Sequence, residues 1–207
     1  NKSRRSFTYP NSIYLEDVDV LEDNREEDKI EMVFMCGKFS PWHGLDILLS
    51  QFEERGNLVN LEKMLILHLV GELSIEQVEK IDVINSKIVG HRIVNHGHLK
   101  ASEYREILSR SHVGLSSLAL DRKDLFEAST LKVRELLACG IPVYAGHFDS
   151  ALPKSFPHYK KGDGSLDQII AFSVLQADTP REKIRLDSAT YIDKMVWMRD
   201  VLDFLEN

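Results

Sequence analysis

Two glutamates, Glu127 and Glu135, stand eight residues apart on either side of a predicted helix start. Ser129 and Thr130 lie between them, and both residue types are good helix N-caps. The first backbone N–H groups of a helix lack intrahelical acceptors and carry partial positive charge, which favours an anion such as a diphosphate. Ionised carboxylates are strong acceptors for hydroxyl groups. The spacing therefore indicates a site for an anionic ligand that also carries hydroxyls.

The same residues also have purely structural explanations. Ser129 and Thr130 can be ordinary N-caps, Glu127 can complement the helix dipole, and Glu135 can form a surface salt bridge with Lys132 or Arg134. The context favours the ligand site, because a predicted strand precedes the pair and the run Leu-Leu-Ala-Cys-Gly-Ile-Pro-Val follows it at 136–143.

A second candidate element follows the first predicted strand. Gly37 allows a tight turn there, Gly44 begins a helix, and Lys38 and His43 flank the place where a phosphate would meet the helix N-terminus. The loop has neither the Gly-x-Gly-x-x-Gly pattern of a dinucleotide site nor the pattern of a phosphate-cradling P-loop. Taken alone, Lys38 is a solvated lysine and His43 a helix-capping imidazole.

An alternation of strands and helices must position these residues. Leu45, Leu48, Leu49 and Phe52 share one helix face, and Ser74 with Gln77 forms a capping box. Further helices are predicted after Ser102 and after Ser129 or Thr130. The predicted strands are 30–36, 65–70, 92–95, 113–116 and 141–145. This order predicts an α/β fold with a Rossmann-like parallel sheet, helices on both faces, and ligands at the carboxyl ends of the strands.

The domain limits follow from the ends of this pattern. Residues 1–12 are predicted to lead into the domain, residues 13–187 to form it, and residues 188–207 to form a C-terminal amphipathic helix. The apolar stripe of that helix is expected to be core packing. Residues 16–31 are strongly acidic and are expected to form an exposed connecting segment.

Composition excludes several classes of protein. The chain has 207 residues, of which 43% are hydrophobic and 29% charged, which is ordinary for a globular protein. A net charge of −7 argues against a general nucleic-acid binder. Cys36 and Cys139 lack metal spacing and are expected to be reduced thiols in a cytoplasmic protein. No signal peptide or membrane-spanning run is visible. Since residue 1 is Asn, we expect a piece of a longer protein.

The chain resembles the C-terminal, nucleotide-sugar-binding half of family 4 glycosyltransferases, whose GT-B fold has two facing Rossmann-like domains. The Glu-x7-Glu element with its Ala-Cys-Gly-Ile-Pro-Val tail is the most specific match. Gly37-Lys38 and His43-Gly44 stand where the family has Gly-Arg and Lys-Gly, and Pro10-Asn11-Ser12-Ile13 is similar to its Pro-Asn-Gly-Val segment. Ser12 replaces the Gly of that segment, His43 replaces a Lys, and Ala128-Ser129-Thr130 replaces Gly-Phe-Gly.

The resemblance implies a transferase that moves a sugar from a nucleoside diphosphate donor with retention at the anomeric carbon. The implied catalytic residues are Glu127, Lys38 and His43. The implied donor-binding residues are Gly37, Ala128, Ser129, Thr130, Leu131, Glu135 and, around the base, Gly97, His98 and Leu99. No metal or cofactor is implied, and Asp17-Val18-Asp19 has the spacing of a metal motif but lies in the acidic segment.

The implied partners are a nucleotide sugar and a missing N-terminal acceptor-binding domain, which could bring peripheral contact with the inner face of a membrane. The acceptor would be a saccharide or a lipid-linked molecule, as in polysaccharide biosynthesis. The fragment alone is expected to be inactive. Two other readings stay open: a non-catalytic nucleotide-binding or regulatory α/β module, and a nucleotide-sugar epimerase.

Overall fold

A computed structural model describes residues 6–55 and 63–206, except for the side chain of Arg55. Residues 1–5 of the predicted lead-in segment and residue 207 of the predicted terminal helix lie outside the described part. Within that part the strands are β1 (Lys29–Lys38), β2 (Met64–Glu72), β3 (His91–Asn95), β4 (Val113–Leu115), β5 (Val143–Ala145) and β6 (Tyr159–Lys161). The helices are α1 (Leu45–Arg55), α2 (Ile75–Lys87), α3 (Ala101–Arg110), α4 (Leu131–Ala138), α5 (Leu166–Leu175), α6 (Arg181–Ile192) and α7 (Lys194–Glu206).

The strands form one six-stranded sheet in the order β3-β2-β1-β4-β5-β6. Every neighbouring pair in it is parallel. The predicted Rossmann-like parallel sheet is therefore confirmed, and so are the five predicted strands. Strand β6, which pairs Tyr159 with Val143 of β5, was not predicted.

Helices cover both faces of the sheet. Successive side chains of β1 point to opposite faces and are apolar, so both faces must be buried. Met32 and Phe34 pack into one core with buried residues of α1, α2 and α5. Val33 and Met35 pack into the other core with buried residues of α3, α4 and α6. Since β1 is central and buried on both faces, its sequence is a continuous apolar run instead of an alternating one.

Helix starts agree with the local sequence in two places and differ in a third. The Ser74 hydroxyl accepts the N–H of Gln77 at 3.2 Å, and the Ser74 N–H donates to the Gln77 side chain at 2.9 Å. Thr130 caps α4. The cap expected at Ser102 is wrong, because α3 begins at Ala101, where the Lys100 N–H donates to Glu103 at 2.6 Å.

The single C-terminal helix predicted over 188–207 is also wrong. The chain leaves helical geometry at Asp193, so α6 and α7 are separate helices and the predicted boundary at 187/188 falls inside α6. The N-terminal segment causes the break: Ile13 donates to the Ile192 carbonyl at 3.0 Å and accepts the Lys194 N–H at 2.7 Å. The expected core stripe is largely exposed in α7, at Met195, Met198, Leu202 and Leu205.

The acidic run at 16–31 is not wholly an exposed linker. Leu21 is buried, and Glu31 is a buried residue of β1. The Glu31 carboxylate lies 2.8 Å from His68 Nε2, and His68 Nδ1 lies 2.9 Å from His96 Nε2. Burial alone would raise the pKa of Glu31, but the bond and charge of His68, with Arg110, lower it. Glu31 is therefore buried because it pairs with His68, which is distant in sequence.

Cys36 and Cys139 are both free thiols. Within residues 6–55 and 63–206, no helix is long and apolar enough to cross a membrane.

Candidate functional site

The carboxyl ends of β1 and β4 meet at the point where the strand order reverses, which is where open α/β sheets bind ligands. The loop after β4 contacts the loop after β1 there, since the Leu118 N–H donates to the His43 carbonyl at 2.9 Å. Gly44 allows this approach. Its φ is +74°, and a Cβ on it would lie 2.9 Å from the Leu118 Cβ. The two predicted loops are therefore brought together.

A cavity of about 270 Å³ opens beside this point, and we call it the α4 cavity. The ends of β1 and β2, the turn after β3, and the helices α3 and α4 all contribute walls. Its lining residues are Met35, Cys36, Gly37, Val70, Gly71, His98, Leu99, Tyr104, Lys132 and Glu135. Four predicted donor-binding residues, Gly37, His98, Leu99 and Glu135, thus line one concavity.

Gly71 fixes the β2 wall of the α4 cavity. Its φ is +136°, and a Cβ on it would lie 1.8 Å from the Cys36 carbonyl oxygen. Its N–H donates to the carbonyl of Gly97 at 2.7 Å. The predicted residue Gly97 therefore does not line the cavity itself. Its bond to Gly71 fixes the turn that places His98 and Leu99 in the lining.

Glu135 is half-buried and accepts a hydrogen bond from the Tyr104 hydroxyl at 2.6 Å. Burial, and next the bond to Glu135, raise the pKa of Tyr104, so the phenol stays a donor. An ionised carboxylate has about four acceptor sites, so Glu135 keeps acceptor capacity for ligand hydroxyls. Within the described residues, the alternative salt bridges of Glu135 with Lys132 or Arg134 do not form, and its carboxylate is bonded to Tyr104.

The backbone amides before α4 are less free than the sequence predicts. The Ala128 N–H donates to the Phe148 carbonyl at 2.9 Å, so this amide already has an acceptor within the protein. Thr130 uses its hydroxyl and carbonyl to accept the Val133 N–H. The amides of Ser129, Thr130, Leu131 and Lys132 have no acceptor among the described residues. The amides available for an anion are therefore those at the end of this loop and in the first two residues of α4.

Ser129 is held from behind by a buried ion pair. Arg134 donates to Asp149 at 2.6 and 2.8 Å, and both side chains are fully buried. The same guanidinium donates to the Ser129 hydroxyl at 2.5 Å and to the Asn11 carbonyl at 2.8 Å. Ser129 is therefore a support of the loop, and sequence reasoning missed the pair that anchors it.

Glu127 lies on a different concavity from Glu135. It is exposed and lines a cavity of about 270 Å³ together with Phe148, Lys154 and Lys161. A single bridge to Phe148 fixes its backbone. The two glutamates thus line two separate cavities.

The two predicted cations, Lys38 and His43, differ in exposure and in charge. Lys38 Nζ lies 2.9 Å from Glu72 in an exposed pair at the strand ends. His43 accepts the Ser40 N–H at 2.9 Å through Nδ1. Burial and the neighbouring Lys132 charge lower the pKa of His43 to about 4, so this imidazole is neutral at pH 7. Arg122 forms a bidentate bond with Asp46 at 2.8 Å, and Lys123 lies over the Trp42 ring.

Lys132 was not predicted as a site residue. It is half-buried in the first turn of α4, and its Nζ lies 5.3 Å from the centre of the Phe34 ring. Burial lowers the pKa of Lys132 to about 8. It carries no hydrogen bond or ion pair to any described side chain. Across residues 6–55 and 63–206, no group of three or more His, Cys, Asp or Glu side chains could hold a metal ion.

A family model described as glycosyl transferase-like matches residues 67–168, just under half of the chain. No curated protein matches significantly.

Solved structures match over most of the chain. The C-terminal domain of the glycosyl transferase group 1 family protein LpcC from Francisella tularensis has a TM-score of 0.58 at 13% identity, covering 88% of this chain and 99% of that chain. Anabaena HepE, in complex with UDP and glucose, has a TM-score of 0.56 at 13% identity, covering 86% and 48%. The trehalose-6-phosphate synthase OtsA has a TM-score of 0.62 at 13% identity, covering 98% and 51%.

These likenesses establish the fold: the chain has the Rossmann-like fold found in the domains of GT-B glycosyltransferases. The chain spans about half the length of HepE and OtsA, and nearly all of the LpcC domain.

Proposed function

We propose that this chain is the donor-binding half of a retaining, family 4-like glycosyltransferase. The observation that carries the proposal is the α4 cavity, which Lys132 and Glu135 both line beside the switch point of the sheet, with the free amides of Leu131 and Lys132 in the first turn of the same helix. A nucleoside diphosphate presents the matching groups: two phosphates for the amides and cation, and ribose hydroxyls for the carboxylate.

Sugar transfer breaks the bond between the anomeric carbon and the β-phosphate oxygen. It forms a bond from the acceptor hydroxyl oxygen to that carbon on the same face of the sugar, and the hydroxyl proton passes to the departing diphosphate. Negative charge grows on the diphosphate as the bond breaks. Fixed amides and cations stabilise it, each well-placed donor by about 3 kcal/mol.

The remaining predicted residues have places in this scheme. Glu127 lines a separate cavity from Glu135, and there it would accept bonds from the donor sugar. Lys38 would reach the diphosphate by leaving Glu72, at small cost since exposed ion pairs contribute about 0–1 kcal/mol. His43 would act as a neutral hydrogen-bonding group, not as a cation.

The rest of the enzyme belongs to the proposal as well. A second domain would bind the acceptor, a saccharide or lipid-linked molecule of polysaccharide biosynthesis, in the cytoplasm or at the inner membrane face. The 207-residue chain alone would bind donor without transferring sugar. HepE, whose structure holds UDP and glucose, supports a nucleotide sugar as the ligand class.

A thermal-shift panel of UDP-, GDP- and ADP-sugars tests donor binding. We expect one nucleotide class to raise the melting temperature of the wild-type chain by mass action. Glu135→Ala should weaken that ligand by about 10- to 100-fold, because a charge-assisted bond contributes about 1.5–3 kcal/mol. Glu127→Ala should weaken the nucleotide sugar more than the nucleoside diphosphate, because Glu127 faces the sugar side.

Glu79→Ala is the matched control, since Glu79 is an exposed glutamate of α2 and should leave the shifts unchanged. Unchanged affinity in both Glu127→Ala and Glu135→Ala would instead favour a regulatory nucleotide-binding module.

A further inference from the structure

We propose that the Lys132 ammonium binds the diphosphate of the donor and is the principal cation of the α4 cavity. The proposal rests on the proposed function and names a residue for it beyond the predicted set. Lys132 lines the cavity in the first turn of α4, on the same helix as Glu135, and its own backbone amide has no acceptor among the described residues.

Among residues 6–55 and 63–206, no hydrogen-bond acceptor or ion-pair partner meets the Lys132 ammonium. Glu135, three residues along the same helix, is bonded to Tyr104 instead. The Cys36 thiol is the one acidic group of the described residues that interacts electrostatically with Lys132. Burial raises the pKa of Cys36 to about 11, so the thiol is neutral at pH 7 and does not balance the lysine charge. Removing an ammonium from water without pairing it is unfavourable, so an anion entering the cavity would relieve this state.

The position of Lys132 on the helix is also unfavourable for a positive charge. A cation in the first turn opposes the helix dipole, which stabilises anions there and cations at the other end. An intervening phosphate reverses both effects, because it interacts favourably with the dipole and with the ammonium. One ligand phosphate would therefore remove two electrostatic penalties, the unpaired charge and the opposition to the helix dipole.

No other cation of the described chain is as well placed. Among the described lining residues of the α4 cavity, Lys132 is the sole lysine or arginine. Lys38 is exposed and bonded to Glu72, Arg122 is bonded to Asp46, and Arg134 to Asp149. The Phe34 ring, whose centre lies 5.3 Å from Nζ, stabilises the ammonium by a cation–π interaction and leaves its N–H donors available.

Lys132→Met separates a ligand-binding role from a structural one. Without ligand, we expect the variant to melt a few degrees higher than wild type, because an unpaired, half-buried charge is gone. Its affinity for the nucleoside diphosphate that binds wild type should fall at least tenfold, while affinity for the corresponding nucleoside stays the same. Lys87→Met, in an exposed position at the end of α2, is the control.

The outcomes distinguish this inference from the proposed function. If wild type binds no nucleoside diphosphate, the proposed function fails. If wild type binds one and Lys132→Met binds it equally tightly, the assignment of Lys132 fails while the proposed function stands. Equal losses for nucleoside and nucleoside diphosphate would also overturn it, because they would indicate a general collapse of the cavity.

The pH dependence of binding provides a second measurement that needs no loss of the side chain. Lys132 must be protonated to bind phosphate, and its pKa is about 8. Affinity of wild type should therefore fall about tenfold between pH 7 and pH 9, whereas Lys132→Arg, which stays charged, should show a flat profile. The titratable groups around Lys132 are Cys36, His43, His98, Tyr104, Glu135 and His147.

Two of these groups could lose protons in alkaline solution, Cys36 and Tyr104, and burial raises the pKa of each. The pKa values of His43 and His147 are lowered. An identical alkaline fall in wild type and Lys132→Arg would assign the titration to another group and overturn the proposal.

Discussion

Asp149→Leu should destabilise the folded chain by about 3–5 kcal/mol, since it leaves the Arg134 charge buried without a partner. Both side chains are fully buried, and the two bonds between them are 2.6 and 2.8 Å long. The ion pair also holds Ser129 and Asn11, so its loss would release the loop before α4 together with the N-terminal segment. Urea unfolding measures the effect as a lower midpoint at unchanged slope.

Two further variants show whether burial is the reason. Asp46→Asn breaks the exposed bidentate pair with Arg122, and we expect it to lower the free energy of unfolding by less than about 1 kcal/mol. The double variant Arg134→Met with Asp149→Leu should recover much of the loss, because no unpaired charge remains. An Asp149→Leu protein as stable as Asp46→Asn would contradict a buried, strongly coupled pair.

Gly71→Ala should lower the free energy of unfolding by about 3 kcal/mol or more. Two effects add: a φ of +136° suits glycine alone, and the new Cβ would lie 1.8 Å from the Cys36 carbonyl oxygen. Because that oxygen belongs to backbone, β1 and β2 would have to separate at the edge that forms the α4 cavity. Nucleotide binding should be lost along with stability.

Gly37→Ala is the matched control for stability. A Cβ on Gly37 meets no atom within 4 Å, and its φ lies outside the left-handed region. Replacing such a glycine should cause no loss of stability. Equal destabilisation by the two substitutions would show that the close approach at Gly71 is not what the strand ends depend on.

Local sequence was enough to predict the features that local contacts decide. The buried strands β1 and β2, the capping box of Ser74 with Gln77, and the start of α4 at Thr130 all depend on residues within a few positions. The fold class followed from their order. The Glu-x7-Glu spacing indicated two carboxylates near the start of α4, and in the structure each of them lines a cavity.

Long-range contacts decided what the sequence did not predict. Strand β6 has three residues and exists because β5 pairs with it, and the helix break at Asp193 exists because Ile13 bonds across it. The Ala128 amide is taken by Phe148, which is distant in sequence. For Lys132, Glu135 offered a plausible partner three residues away, whereas Tyr104 of another helix occupies that carboxylate. A lysine in a first helical turn was the available signal.

A crystal structure of this chain with the nucleoside diphosphate that stabilises it most would test the central claim most directly. The account predicts phosphate oxygens about 3 Å from the amide nitrogens of Leu131 and Lys132, with a ribose hydroxyl donating to Glu135. A nucleotide bound elsewhere, with the α4 cavity empty, would contradict it.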